Sequence, residues 1–178
     1  RCNVTHDCFD AALLAQNYPR GGQALRGAFD RFQPRDTIDW FAARGVRLKT
    51  EPYGRMFPVS DSSETIVNCL IGAAKKCGVD MRTEAGVTSV TRRGDVGDST
   101  TGFTLRLKTG ERLNGDRVLL ATGSDHRAYT WAESLGHTIE PSVPSLFTFT
   151  VPDPRLADLA GVSVDNVQLR LAGTRLEQ

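Results

Sequence analysis

The sequence predicts an α/β fold in which an α/β core carries a layer of antiparallel strands. Three observations carry that expectation. Apolar residues recur at helical spacing as far as Gly78. From Val79 the period drops to two, over VDMRTE, VTSVTRR and FTLRLKT, as in strands with one covered face. Val118, Leu119, Leu120 and Ala121 then form an unbroken apolar run, the pattern of a strand buried on both faces.

Taken in order, the first helix falls in DCFDAALLAQ, with Phe9, Ala12, Leu13 and Gln16 sharing a face, and Tyr18-Pro19 stops it. A second follows Gly21-Gly22 and groups Leu25, Ala28, Phe29 and Phe32; Pro34 closes it. Asp36-Thr37 offers a cap for a third, IDWFAARG, with Gly45 at the left-handed exit. VRLKTE is a short strand, and Pro52 and Gly54 sit at the second and fourth positions of a tight turn.

In GRMFPVSDSSE, Asp61 and Glu64 have the spacing of a capping box in which aspartate replaces the commoner serine or threonine. Behind it Ile66, Leu70, Ala73, Ala74 and Cys77 make one apolar stripe. Lys75 and Lys76 complement the helix dipole in the last turn, and Gly78 ends the helix. Among the alternating segments, GDVGDSTTG is a hairpin loop and TGERLNGD a turn. The buried run ends in Thr122, Gly123 and Ser124, small enough to let a ligand approach the backbone. WAESLGHTIEPSVPSLFTFTV gives a short helix, a proline-rich crossing and a strand; Pro154 opens the helix RLADLAG, and VSVDNVQLRLAG returns to strand. The prolines at 141 and 144 mark a domain boundary, dividing residues 1–144 from 145–178.

Composition excludes several function classes. Lys plus Arg number 22 and Asp plus Glu 21, so a formal charge of +1 leaves no basic footprint for nucleic acid. No window approaches the roughly 18 unbroken apolar residues of a membrane helix, and no signal-peptide pattern is present. Cys2, Cys8, Cys69 and Cys77 lack C-x-x-C spacing and read as reduced thiols of a cytoplasmic protein. The chain opens RCNVTH without an initiator methionine and stops at TRLEQ after a strand-like run, which suggests a fragment.

Ser60-Asp61-Ser62-Ser63 is explained as a helix start, its side chains accepting from first-turn N–H groups, and Asp61 and Glu64 would repel a phosphate there. Gly123-Ser124-Asp125-His126 lacks the second glycine of a nucleophile elbow, and neighbours in sequence do not make a triad. Cys2, His6 and Cys8 are too few and too poorly spaced for a metal centre. No two glycines are separated by a single residue, so the diphosphate-binding G-x-G-x-x-G does not occur in these 178 residues.

Several segments together are more specific than any alone. RCNVTH, YPRGG, DTIDWFAARGVRLKTEPYGRMFPVSDSS, LLATGSD and LGHTIEPSVPSL follow one another in the order and spacing of a known family. The chain resembles the bacterial and plastid FAD-dependent oxidoreductases of the aminoacetone oxidase type, which include flavoproteins implicated in bile-acid ring reduction. The resemblance implies a partial FAD/NAD(P)-binding Rossmann domain of the glutathione-reductase-like kind, with an antiparallel β-meander and the start of an inserted β-rich domain. It matches Arg1, Cys2 and Asn3 to the end of a glycine-rich turn, and Ala121, Thr122 and Gly123 to the A-T-G segment that passes close to FAD. Ser124 stands where family members often carry a second glycine. Val87 matches the position whose main chain meets adenine, and Arg55, Met56 and Pro58 fall in a signature facing the isoalloxazine or the substrate.

The resemblance implies an oxidoreductase in which FAD exchanges a hydride with a small-molecule substrate or with NAD(P)H as electron donor. The flavin supplies the redox chemistry and the protein orientation and charge, so no catalytic acid or base is assigned. Arg55 is placed to stabilise negative charge on reduced flavin. The alternative is a non-catalytic, truncated module that does not retain FAD, as the missing G-x-G-x-x-G favours. Residues 1–178 alone are expected to be colourless, to expose apolar surface and to aggregate.

Overall fold

The computed structural model describes residues 2–94, 101–143 and 152–156, together with residues 159, 162, 168 and 173. These form two compact units, Arg1–Gly86 and Val87–Gln178. No helix among the described residues is long and apolar enough to cross a membrane.

In the first unit, β1 (Thr5–His6), β2 (Leu48–Thr50) and β3 (Arg55–Pro58) make an antiparallel sheet in the order β1-β3-β2. Four helices accompany it: α1 (Ala11–Gln16), α2 (Gly22–Phe29), α3 (Pro34–Ala42) and α4 (Ser63–Lys76). Phe41, Val46 and Ile66 form the buried core, with Cys2, Val4, Trp40, Leu48 and Cys69 packed against it.

The helix boundaries depart from the spacing arguments for local reasons. Asp10 caps α1 by accepting from Ala12 N–H and Leu13 N–H, and that start buries Leu14 and leaves Leu13 54% exposed. Pro34 does not close α2, which ends at Phe29; it opens α3, where its missing N–H costs nothing. Asp36 is accordingly not the cap of α3 but sits inside its first turn, its carboxylate accepting from Gln33 N–H at 2.6 Å. The far end of α3 is as expected. Gly45 is left-handed (φ +79), and Gly45 N–H and Val46 N–H donate to Ala42 O and Phe41 O. That pattern is a Schellman motif whose apolar pair, Phe41 and Val46, belongs to the core. The stripe predicted on α4 is only partly covered: Ile66 is buried, but Leu70 and Cys77 are exposed.

In the second unit β4 (Val87–Arg93), β5 (Gly102–Leu107) and β6 (Arg112–Gly115) form an antiparallel meander, followed by α5 (His126–Ser134). Strand β6 lies within the segment read as a turn. With Leu113 as its one large apolar residue, it is too short to show alternation.

Two strand expectations are corrected. VDMRTE is not a strand, because Val79 N–H is committed to Ala74 O in the Schellman end of α4 and Glu84 turns the chain at φ +55. The Val118–Ala121 run joins no ladder and is not buried on both faces. Val118 and Leu120 are half-buried, but Leu119 between them is 88% exposed. Of the later elements, Pro154–Leu156 is a single 3-10 turn. Most of the GDVGDSTTG loop, the strand expected after Val143, the boundary at 144/145 and most of VSVDNVQLRLAG lie outside the described residues.

Candidate functional site

The first unit's candidate site is built on the turn that feeds β3. Pro52 fixes the entry, Gly54 N–H donates to Glu51 O at 3.2 Å, and Glu51 N–H donates to Arg55 O at 2.8 Å. Tyr53 and Gly54 are both left-handed (φ +66 and +74). A β-carbon on Gly54 would collide with the His6 ring and the Asp7 carboxylate, so the turn tolerates only glycine there.

His6 bolts this turn to the start of the chain. Cys8 N–H donates to its Nδ1 at 3.0 Å, which makes Nδ1 the acceptor and places the ring proton on Nε2. Nε2 then donates to Tyr53 O at 2.9 Å, while Asp7 N–H donates to Gly54 O at 2.9 Å.

The β1–β3 pairing brings several sequence-predicted residues together. Val4 N–H donates to Met56 O at 2.8 Å, with Thr5 opposite Met56 and His6 opposite Arg55. With its amide oriented to donate, Asn3 reaches Thr5 O at 3.1 Å and Met56 O at 3.3 Å. Cys2 packs on the core. Met56 and Pro58 are buried, so their side chains lie beneath the surface. Arg55 is exposed, its guanidinium 6.0 Å from the Phe57 ring centre. Arg1 lies outside the described residues.

The serine cluster following β3 is a helix cap, with one reassignment. Ser62, not Asp61, caps α4, its hydroxyl accepting from Glu64 N–H at 3.2 Å. Asp61 is left-handed (φ +54) and accepts instead from Lys49 Nζ at 2.6 Å. Ser60 Oγ and Thr65 Oγ1 share a hydrogen bond at 2.6 Å.

In the second unit Val87 opens β4 opposite Leu107 and is half-buried. Ala121, Thr122 and Gly123 are all exposed, Gly123 with φ +62 and nothing within 4 Å of the place a β-carbon would occupy. The backbone there is open to close approach. Asp125 follows as the cap of α5, accepting from Arg127 N–H at 3.0 Å. Its side-chain hydrogen bonds with the Arg127 guanidinium, supported by that N–H, hold its carboxyl down at about 2.

Sequence reasoning gave no role to Tyr53 and did not link His6 to it. The only local signal was their neighbourhood: Tyr53 lies between a proline and a glycine at a turn.

Residues 1–176 match the HI0933-like protein Rossmann domain family. The chain belongs to that family. The resemblance to a family of FAD-dependent oxidoreductases therefore holds, and the fold is an α/β Rossmann type whose described strands are antiparallel. The chain is also similar to the 3-dehydro-bile acid delta(4,6)-reductase of Clostridium scindens, at 29% identity over 184 residues. That alignment takes in 99% of this chain and 42% of the reductase, so the chain spans about two fifths of that relative's length.

Proposed function

We propose that this chain forms part of an FAD-dependent oxidoreductase that transfers a hydride between FAD and a small substrate. The family match over residues 1–176 is the observation that carries the reading. The reductase's name favours reduction of the substrate over its oxidation. Substrate reduction consumes reduced FAD, which a separate two-electron donor must regenerate; neither comparison supports NAD(P)H in that role.

The residues suit a flavin. The exposed backbone at Ala121–Gly123 accepts a close neighbour, and the exposed Arg55 offers positive charge. FAD, when bound, supplies the two-electron chemistry; the chain orients it and tunes its charge. The Asn3 amide ties the R-C-N segment to β3, and the His6 imidazole fixes the turn before Arg55.

The test is the flavin content of the protein expressed from its complete reading frame and reconstituted with FAD. A flavin absorbance band with one FAD per chain supports the proposal. A protein that remains colourless after reconstitution overturns it in favour of the non-retaining module.

A further inference from the structure

Tyr53 is the exposed apex of a turn that the fold holds rigid. Its side chain is 83% exposed, yet its backbone sits at φ +66, a conformation costly for any residue with a β-carbon. Such a conformation persists only where the surroundings over-determine it. Four hydrogen bonds do so here: His6 Nε2 to Tyr53 O, Asp7 N–H to Gly54 O, Gly54 N–H to Glu51 O and Glu51 N–H to Arg55 O. Glycine or asparagine would meet this backbone demand at lower cost. A ring left in solvent contributes little burial in return. What tyrosine adds is a flat, stiff, amphipathic surface, followed two residues later by the exposed Arg55.

We infer that Tyr53 is a stacking surface for the isoalloxazine ring of FAD. The exposed Arg55, two residues on, offers a cation to the negative charge that a reduced isoalloxazine carries and adenine does not. The inference rests on the flavin reading and adds to it a binding residue on the turn before β3.

The experiment compares wild type, Tyr53→Phe and Tyr53→Gly in the protein expressed from its complete reading frame. Each apoprotein is titrated with FAD, following quenching of flavin fluorescence, and separately with ADP; thermal melting of the apoproteins is recorded alongside. Tyr53→Phe keeps the ring and binds FAD within about twofold of wild type. Tyr53→Gly removes the ring and the left-handed strain together. It binds FAD about 3- to 10-fold more weakly with less quenching, while its melting temperature is unchanged or raised and ADP affinity is unaltered. Wild-type FAD affinity and quenching in Tyr53→Gly overturn the stacking role while leaving the flavin reading intact. An equal loss of ADP affinity overturns the assignment to isoalloxazine. Failure of the wild type to bind FAD overturns the flavin reading, and this inference with it.

Discussion

Two side chains carry sharp expectations at the residue scale. Ser62→Ala removes the cap of α4 and should destabilise the protein by about 1 kcal/mol in urea unfolding. Asp61→Asn keeps a side chain that tolerates the left-handed backbone and weakens an exposed ion pair with Lys49, so it should cost less, roughly 0–1 kcal/mol. The reverse order would restore the Asp61–Glu64 capping box that the spacing first implied. Asp125 gives a pH expectation. Its folded pKa of about 2 lies below its ordinary 3.8, so the stability it contributes is fully present above 3.8 and is lost as pH falls through 2. Carbon-13 titration of its carboxyl should show that low midpoint, and Arg127→Ala should raise it; an unmoved midpoint would rule out the guanidinium as its cause. At this scale the cap of α4 was legible to within a residue. Ser62 and Asp61 are both good caps, and only the φ of Asp61 and the reach of Lys49 decide between them.

Helix exits that end in a left-handed glycine were the most legible boundaries, because that residue leaves a local mark, whereas the end of α2 and the start of α3 carry no such mark. Gly45 and Gly78 each end a helix with φ above +70, at the exits the sequence predicts. Strands were less legible. VDMRTE alternates well, yet its first amide is claimed by α4, and β6 is too short to alternate at all. Two glycines separate backbone cost from packing cost. Gly78→Ala meets nothing within 4 Å and should cost about 1 kcal/mol for its positive φ alone. Gly54→Ala carries the same φ penalty and also drives a methyl into His6 and Asp7, so it should exceed Gly78→Ala by about 1–3 kcal/mol. Equal losses in chemical denaturation would mean that the His6–Tyr53 clasp yields readily.

For the whole molecule, family and fold class were legible because motifs scattered over the chain keep their order and spacing, which no single motif reveals. The site was legible only in part. Asn3, Arg55 and Met56 converge through the β1–β3 ladder, a long-range pairing that spacing cannot show, while Pro58 pairs with Leu48 of β2. The apolar run at Val118–Ala121 has the composition of a doubly covered strand, but whether both faces are covered depends on neighbours, and Leu119 is exposed. Arg55→Ala should slow flavin reduction in the protein expressed from its complete reading frame, since it removes an exposed cation from the segment assigned to the flavin side. Unchanged reduction kinetics would retire that role. The central claim is that these residues hold FAD, and a crystal structure of the protein from its complete reading frame, grown with FAD, tests it most directly. The account predicts the isoalloxazine ring stacked on Tyr53 beside Arg55; a flavin touching neither residue, or none bound, would contradict it.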